Sequence, residues 1–398
     1  MLCDRIHFMK TNNETSSSSS RLFALDFLRG ADMVLLTVIG PLVWAINSGY
    51  ALPDSFLYQF THPWEGFTLW DIIMPLFLFM CGAAIPFSLE KRLSLNGGRP
   101  NAVYFKHVIC RVALLWVLGM IVQGRLLEFN LLEIRPYNNT LQTIAMGYLV
   151  MAILVCTSMK WRIVVPLLGF VFYGLIVHFG GDYSMTGNIA EYCEQSVLTF
   201  LMPAGSKAIR ELGMLGYLGQ ITEIGEIHYT WILTTPMFVF MTACGYFSAR
   251  ILLGRDEPKK RAINLAIFGT ALLALGWILT FMGVKMVKHI FTVSFTAQAM
   301  GWSALALALS YLITDVAQFR RGASFFVLFG RTSLLAYMIG EWIWPCFMYT
   351  GQYVTHGLEP IVGKAAQGVV SCVFAICLLV FCLVIRRKYV VMKQEISK

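Results

Sequence analysis

Charge is scarce in this 398-residue chain: Asp, Glu, Lys and Arg make up 13% of it, against 57% apolar residues and a mean hydropathy of +0.66. A soluble domain sits nearer a quarter charged and half apolar, so the shortage excludes an ordinary water-soluble fold and implies a polytopic membrane protein. Paired cysteine motifs are missing too. None of the ten cysteines forms a C-x-x-C pair, and most fall in apolar runs, where Cys acts as a small hydrophobe. Neither a metal site nor a disulfide framework is expected. Residues 1–20 lack an apolar core, so no cleavable signal is expected ahead of the first span. With TNNETSSSSS they read as a disordered cytoplasmic tail. No basic stripe or RNA-binding motif accompanies the net charge of +9, so nucleic acid is not an expected partner. No internal repeat is evident, which counts against a transporter built from two related halves.

What the chain does have is apolar runs of about 20 residues, the length of a membrane span. Ten are predicted, at 22–46, 68–89, 108–124, 140–158, 162–179, 229–252, 262–283, 290–314, 324–350 and 366–386. The expected fold is all-α: a bundle of about ten transmembrane helices over 21–390, closed by a cytoplasmic tail at 391–398. With both termini cytoplasmic, the outer segments hold only Arg125, Arg135, Lys207, Arg210, Lys285, Lys288 and Lys364, leaving 24 of the 31 Lys and Arg inside. That bias satisfies the positive-inside rule. The longest connection, about 180–228, is then external and carries six acidic and two basic residues. A loop of that length between spans is usually functional.

The most informative stretch is Gln59–Leu89, a polar and aromatic mouth that turns apolar at Ile72. His62 sits beside Trp64 and Glu65, just ahead of the span. Its ordinary titration range suits a general base or nucleophile, with Asp71 to orient the imidazole. An interfacial histidine in an aromatic belt is the plainer alternative. In the first span Asp26, Arg29 and Asp32 share a helix face, at i, i+3 and i+6. They form either a structural ion network, with Arg29 paired to either acid, or a site where Arg29 meets a phosphate-bearing ligand. Arg111 and Arg331 are further basic candidates for that task. The fourth span contributes Asn138, Asn139 and Gln142, and the ninth Tyr337 and Glu341. A glutamate at such depth is costly unless it faces the bundle interior or water.

RLFALDFLRG in the first span, WEGFTLWDIIMPLFLFMCG in the second, TLQTIAMGY in the fourth and FGRTSLLAYMIGE in the ninth together resemble the heparan-α-glucosaminide N-acetyltransferase family. The resemblance runs in order from about residue 21 to 390, and the W-x-G-x-T-x-x-D block is its most specific part. It implies transfer of an acetyl group from cytoplasmic acetyl-CoA to an amino or hydroxyl group of a sugar outside. It also implies that His62 is catalytic, with Asp71, Gln142 and Glu341 at polar positions of the family motifs. The chain departs from the pattern in two places. Only Pro63 separates His62 from Trp64, where the family usually has two residues, and Gly40 stands where some members carry an asparagine.

The combined expectation is a glucosamine-type sugar acetyltransferase using His62 and Asp71. Trp64, Glu65, Asn138, Gln142, Tyr337 and Glu341 are expected on the acceptor side, and Arg29, Asp32, Arg111 and Arg331 on the acetyl-CoA side, without a metal. The alternative is a transporter or flippase for a small amphiphile or sugar lipid, with Asp32, Asp71 and Glu341 along its path. Expected partners are the extracytoplasmic carbohydrate and the lipid bilayer, with a homodimer left open. The expected location is a bacterial cytoplasmic membrane, or a lysosome-like membrane in a eukaryote.

Overall fold

The computed structural model describes residues 22–49, 51–129, 134, 136–185, 187–201, 229–319, 322–363 and 366–396. The tail at 1–20, residues 202–228 of the long connection expected to be external, and the last two residues lie outside the described residues. The protein is all-helical, 78% helix, with no strand among the described residues.

Helix α1 (Phe23–Val34) passes through a π-helical turn (Leu35–Ile39) into α2 (Gly40–Gly49). The second span opens with a 3₁₀ turn (Leu69–Ile72), continues as α3 (Ile73–Ile85) and leaves through a π turn (Pro86–Glu90) and a short helix to Leu95. There follow α4 (Ala102–Val122), α5 (Thr140–Val155), α6 (Met159–Phe179) and α7 (Ile189–Leu201). The second half holds α8 (Thr235–Leu252), α9 (Pro258–Phe281), α10 (Val293–Tyr311), α11 (Ala323–Arg331), α12 (Ser333–Thr355) and α13 (Ala366–Ile396).

Helices occur at all ten predicted places, but seven are both long and apolar enough to cross a membrane. The other three fall short for physical reasons. Helix α5 has only 16 residues. Helix α8 is buried along most of its length, and a helix surrounded by protein can carry Thr242, Ser248 and Gly245 where a lipid-facing one carries leucine. The predicted ninth span is broken: Thr332 leaves the helical region (φ −111°, ψ 18°), separating α11 from α12, and α12, though 23 residues long, carries Glu341 and is not apolar enough. The predicted tail at 391–398 is likewise helical as far as Ile396.

The second span lies at the centre, with 72% of its most apolar window buried, against 17% for α4. Close helix approach sets this centre. A Cβ on Gly82 of α3 would sit 1.8 Å from Thr242 O of α8, and one on Gly245 of α8 would sit 1.8 Å from Phe79 O of α3. Apolar surface gains little by leaving lipid, so backbone contact through small residues supplies the attraction. Helices α1 and α11 cross in the same way at Gly30 and Gly330. Asp315 closes the first span from outside it, accepting from the backbone N–H of Phe23 (3.3 Å) and Ala24 (2.8 Å) at the positive end of α1.

Candidate active site

The mouth of the second span is built by a helix cap. Thr68 and Asp71 form a capping box: the Thr68 backbone N–H donates to Asp71 Oδ2 (3.0 Å), and the Thr68 hydroxyl lies 3.0 Å from the same oxygen. This is the structural meaning of T-x-x-D before an apolar run. It leaves Asp71 Oδ1 free to face elsewhere, and His62 Nδ1 lies 2.7 Å from it. The chain between them is folded back by Trp70 N–H donating to Gln59 O (2.9 Å), so nine residues return the imidazole to the helix start.

A third group completes the cluster. Lys288 Nζ lies 3.3 Å from Asp71 Oδ1 and 3.0 and 3.3 Å from the two ring nitrogens of His62. Close approach to both nitrogens sets the ammonium against the imidazole ring. Asp71 is fully buried and the Lys288 side chain 5% exposed, whereas the His62 side chain is 33% exposed. One accessible imidazole is thus backed by two buried, opposite charges. With a neutral imidazole the trio carries no net charge; a protonated one would leave a buried net +1. Burial pushes the Lys288 ammonium down to about 8, with the Asp71 carboxylate acting in the opposite direction.

Three segments clamp this mouth. Gly66, at φ +127°, donates its N–H to Met286 O (2.9 Å), and Glu65 pairs with Lys285 (2.9 Å). The connection between α9 and α10 is thereby held against the loop that carries His62. A tight turn, Phe291 N–H to Lys288 O at 2.9 Å, presents Lys288 and His289 side by side. Trp64 donates its indole N–H to Tyr183 O (2.8 Å) in the connection between α6 and α7, and its ring stacks on His289 at 5.2 Å and 11°. The indole N–H is therefore engaged within the protein, and the Trp64 ring forms a wall beside His62. Gly40 has a local explanation as well: a Cβ there would lie 2.0 Å from the Trp70 ring, so the indole fills the space a larger side chain would need.

The other expected acceptor-side residues form a second cluster. Asn139 caps α5, and Gln142 reaches back to the backbone N–H of Asn138 (2.9 Å) and Asn139 (3.1 Å) while donating to Pro136 O (2.8 Å). Gln142 is fully buried and engaged at both ends of its amide, which makes it a structural clamp. Gln123, at the end of α4, donates to Glu341 Oε2 (3.0 Å) and accepts from Asn139 Nδ2 (2.8 Å), with the Tyr337 hydroxyl 3.4 Å from the same nitrogen. An aromatic row joins the two clusters. His289, Tyr229, Trp231, Tyr137 and Trp116 follow one another at centroid separations of 4.5, 5.7, 6.4 and 5.2 Å.

The four expected donor-side residues do not form one site. Arg29 donates to Met80 O (3.3 Å), nine residues past Asp71 and hence about 14 Å along the span at 1.5 Å per residue. Arg111 lies over the Tyr148 ring at 4.5 Å. Arg331 pairs instead with Asp26 (3.3 Å) at the crossing of α1 and α11. The expected pairing of Arg29 with either acid fails for Asp32. That carboxylate is buried, and neither oxygen has a hydrogen-bond partner among the described residues. Its side chain lies one turn from Arg29 on the same helix, a spacing that permits a contact without enforcing it.

Lys288, His289 and Gln123 carry no sequence signal that links them to the site. Lys288 is 226 positions from His62 and stands in the sequence only as one of the few positive residues expected on the outer side. The capping signature was the legible part, since T-x-x-D ahead of an apolar run places Asp71 at a helix start. Compared with known proteins, the chain matches no family model and no curated protein.

Proposed function

We propose that this membrane protein is an acetyltransferase that moves the acetyl group of cytoplasmic acetyl-CoA to an amino or hydroxyl group of a sugar on the opposite side. The observation that supports it is the trio at the mouth: an accessible His62 backed by buried Asp71 and Lys288. Asp71 holds Nδ1, so Nε2 is the nitrogen that takes a proton. The acceptor oxygen or nitrogen attacks the thioester carbonyl, forming a C–O or C–N bond as its proton passes to Nε2. The C–S bond then breaks, and the proton returns to the departing thiolate. Lys288 supplies a fixed positive charge where the carbonyl oxygen becomes negative. Arg29 and Arg111 fit the donor's phosphates, being cationic and on the inner side of the trio, and the thioester must reach about 14 Å up the span to His62. Glu341 and the Trp64 ring are the acceptor-side contacts this reading retains.

The test is acetyl-CoA-dependent thiol release by the purified protein, with and without glucosamine, beside His62→Ala. Acceptor-stimulated release that falls by about 10²–10⁴ in the mutant is the expected result. Undiminished release from His62→Ala would sink the assignment. Asp32 favours a second reading, proton-coupled transport, because an unpartnered buried carboxylate is a natural proton carrier. That reading expects substrate flux without acetyl-CoA, lost in Asp32→Asn and kept in His62→Ala.

A further inference from the structure

At the end of the second span remote from His62, the surface of the bundle carries an open cavity of about 540 Å³ lined by Glu90, Lys91, Leu93, Val155, Arg162 and Arg250. Its frame is a partly buried polar knot. Arg162 donates to Glu90 (2.5 Å), the Tyr246 hydroxyl (2.7 Å) and the carbonyls of Val155 (2.6 Å) and Thr157 (3.1 Å), while Tyr246 also donates to Glu90 (2.5 Å). Arg162 is thereby committed to the fold. Arg250 is not: it donates to Glu90 through one nitrogen at 3.1 Å and is 44% exposed. A guanidinium has five N–H donors, so most of its donor capacity remains. The Lys91 ammonium has no partner among the described residues, and Lys91 is exposed. One carboxylate therefore faces three cations, and the cavity carries a net charge of +2.

We propose that this cavity binds the phosphate of an anionic phospholipid headgroup. The residues that line it close the inner ends of the second span, α5, α6 and α8, where headgroups lie, and basic pockets between span ends recognise such headgroups. Leu93 and Val155 give the wall an apolar part on which acyl carbon can rest. The site is separate from the Arg111 face of α5, because Val155 is seven residues beyond Tyr148, about 10 Å along the helix. Arg162 holds Glu90 in place, and Arg250 and Lys91 supply the charge that meets the phosphate.

The experiment places the full chain in phosphatidylcholine nanodiscs with or without phosphatidylglycerol, and reads the Tm and the lipid retained in native mass spectrometry. Phosphatidylglycerol is expected to raise the Tm by about 2–4 °C, with one molecule retained. The double variant Lys91→Gln/Arg250→Gln should lose both, and Lys91→Gln alone should lose part. The control Lys259→Gln/Lys260→Gln removes two charges from the start of α9 and should keep both effects. Equal loss in the control means diffuse surface attraction and overturns the proposal, as does the absence of any lipid effect. Inorganic pyrophosphate in phosphatidylcholine discs should produce no shift. A pyrophosphate shift that the double variant abolishes would reassign the cavity to a soluble phosphate and overturn the lipid assignment.

Discussion

At the scale of single residues, the trio behaves as a unit because each member limits what the others can do. Asp71 serves two masters through its two oxygens, the cap through Oδ2 and the imidazole through Oδ1. Lys288 is a member that burial moves out of its ordinary range. Its folded value is depressed to about 8, so the unfolded chain binds more protons between about 8 and 10.5. Stability from this group therefore rises as pH increases through that window, and below about 8 the full penalty of burying the charge is present. Activity runs the other way. The proposed mechanism needs the charged ammonium, so acetyl transfer should decline above about pH 8. Lys288→Arg, which stays charged, should move that alkaline limb upward, and Lys288→Met should lower turnover by about 10²-fold. A pH–rate profile with the same alkaline limb in wild type and Lys288→Arg would remove Lys288 from the mechanism.

At the scale of elements, two contacts decide how the mouth is held. The first is the crossing of α3 and α8. Gly245→Ala places a methyl against Phe79 O, and overpacking of this kind typically costs about 1–3 kcal/mol. A fall in Tm is expected in detergent, and wild-type stability in that variant would mean the helices sit further apart than described. The second is α7, in the connection between α6 and α8. Glu194 is buried, accepts from the backbone N–H of Trp231 (3.1 Å) and Ile232 (2.8 Å), and is pushed by burial up to about 7. A carboxyl group raised in the fold contributes stability that is complete below its unfolded value and is lost as pH rises through about 7. Both donors use Oε2, so a proton on Oε1 leaves them in place. Amide exchange in Ile189–Leu201 should therefore be slower at pH 5.5 than at pH 8 after correction for intrinsic rates, and Glu194→Gln should flatten the difference.

At the scale of the whole molecule, hydropathy made the ten helical places legible, because apolar runs separated by polar breaks persist whatever the packing. It could not tell lipid-facing helices from interior ones, and α8 is where the two diverge. The break at Thr332 was invisible because a single non-helical residue leaves the apolar pattern intact. His62 and Asp71 could be paired from sequence, since only nine residues and a capping signature separate them. Lys288 could not, because its position depends on how two distant connections meet. The expected orientation can be checked directly. In a cysteine-free background, Ser184→Cys should react with an impermeant maleimide in intact cells, and Ser94→Cys only after permeabilisation. The reverse pattern would invert the bundle and the assigned side of the acceptor.

The distance in sequence between His62 and Lys288 also bears on how the protein is made. The two are 226 positions apart. At synthesis rates of about 5–20 residues per second, the lysine follows the histidine by roughly 10–50 s. For that interval Asp71 stands at the head of an inserted span without its ammonium. The mouth is therefore a late product of biogenesis, finished only when the connection after α9 docks. A nascent chain arrested before that point would hold an inserted second span with its carboxylate still seeking water or a chaperone.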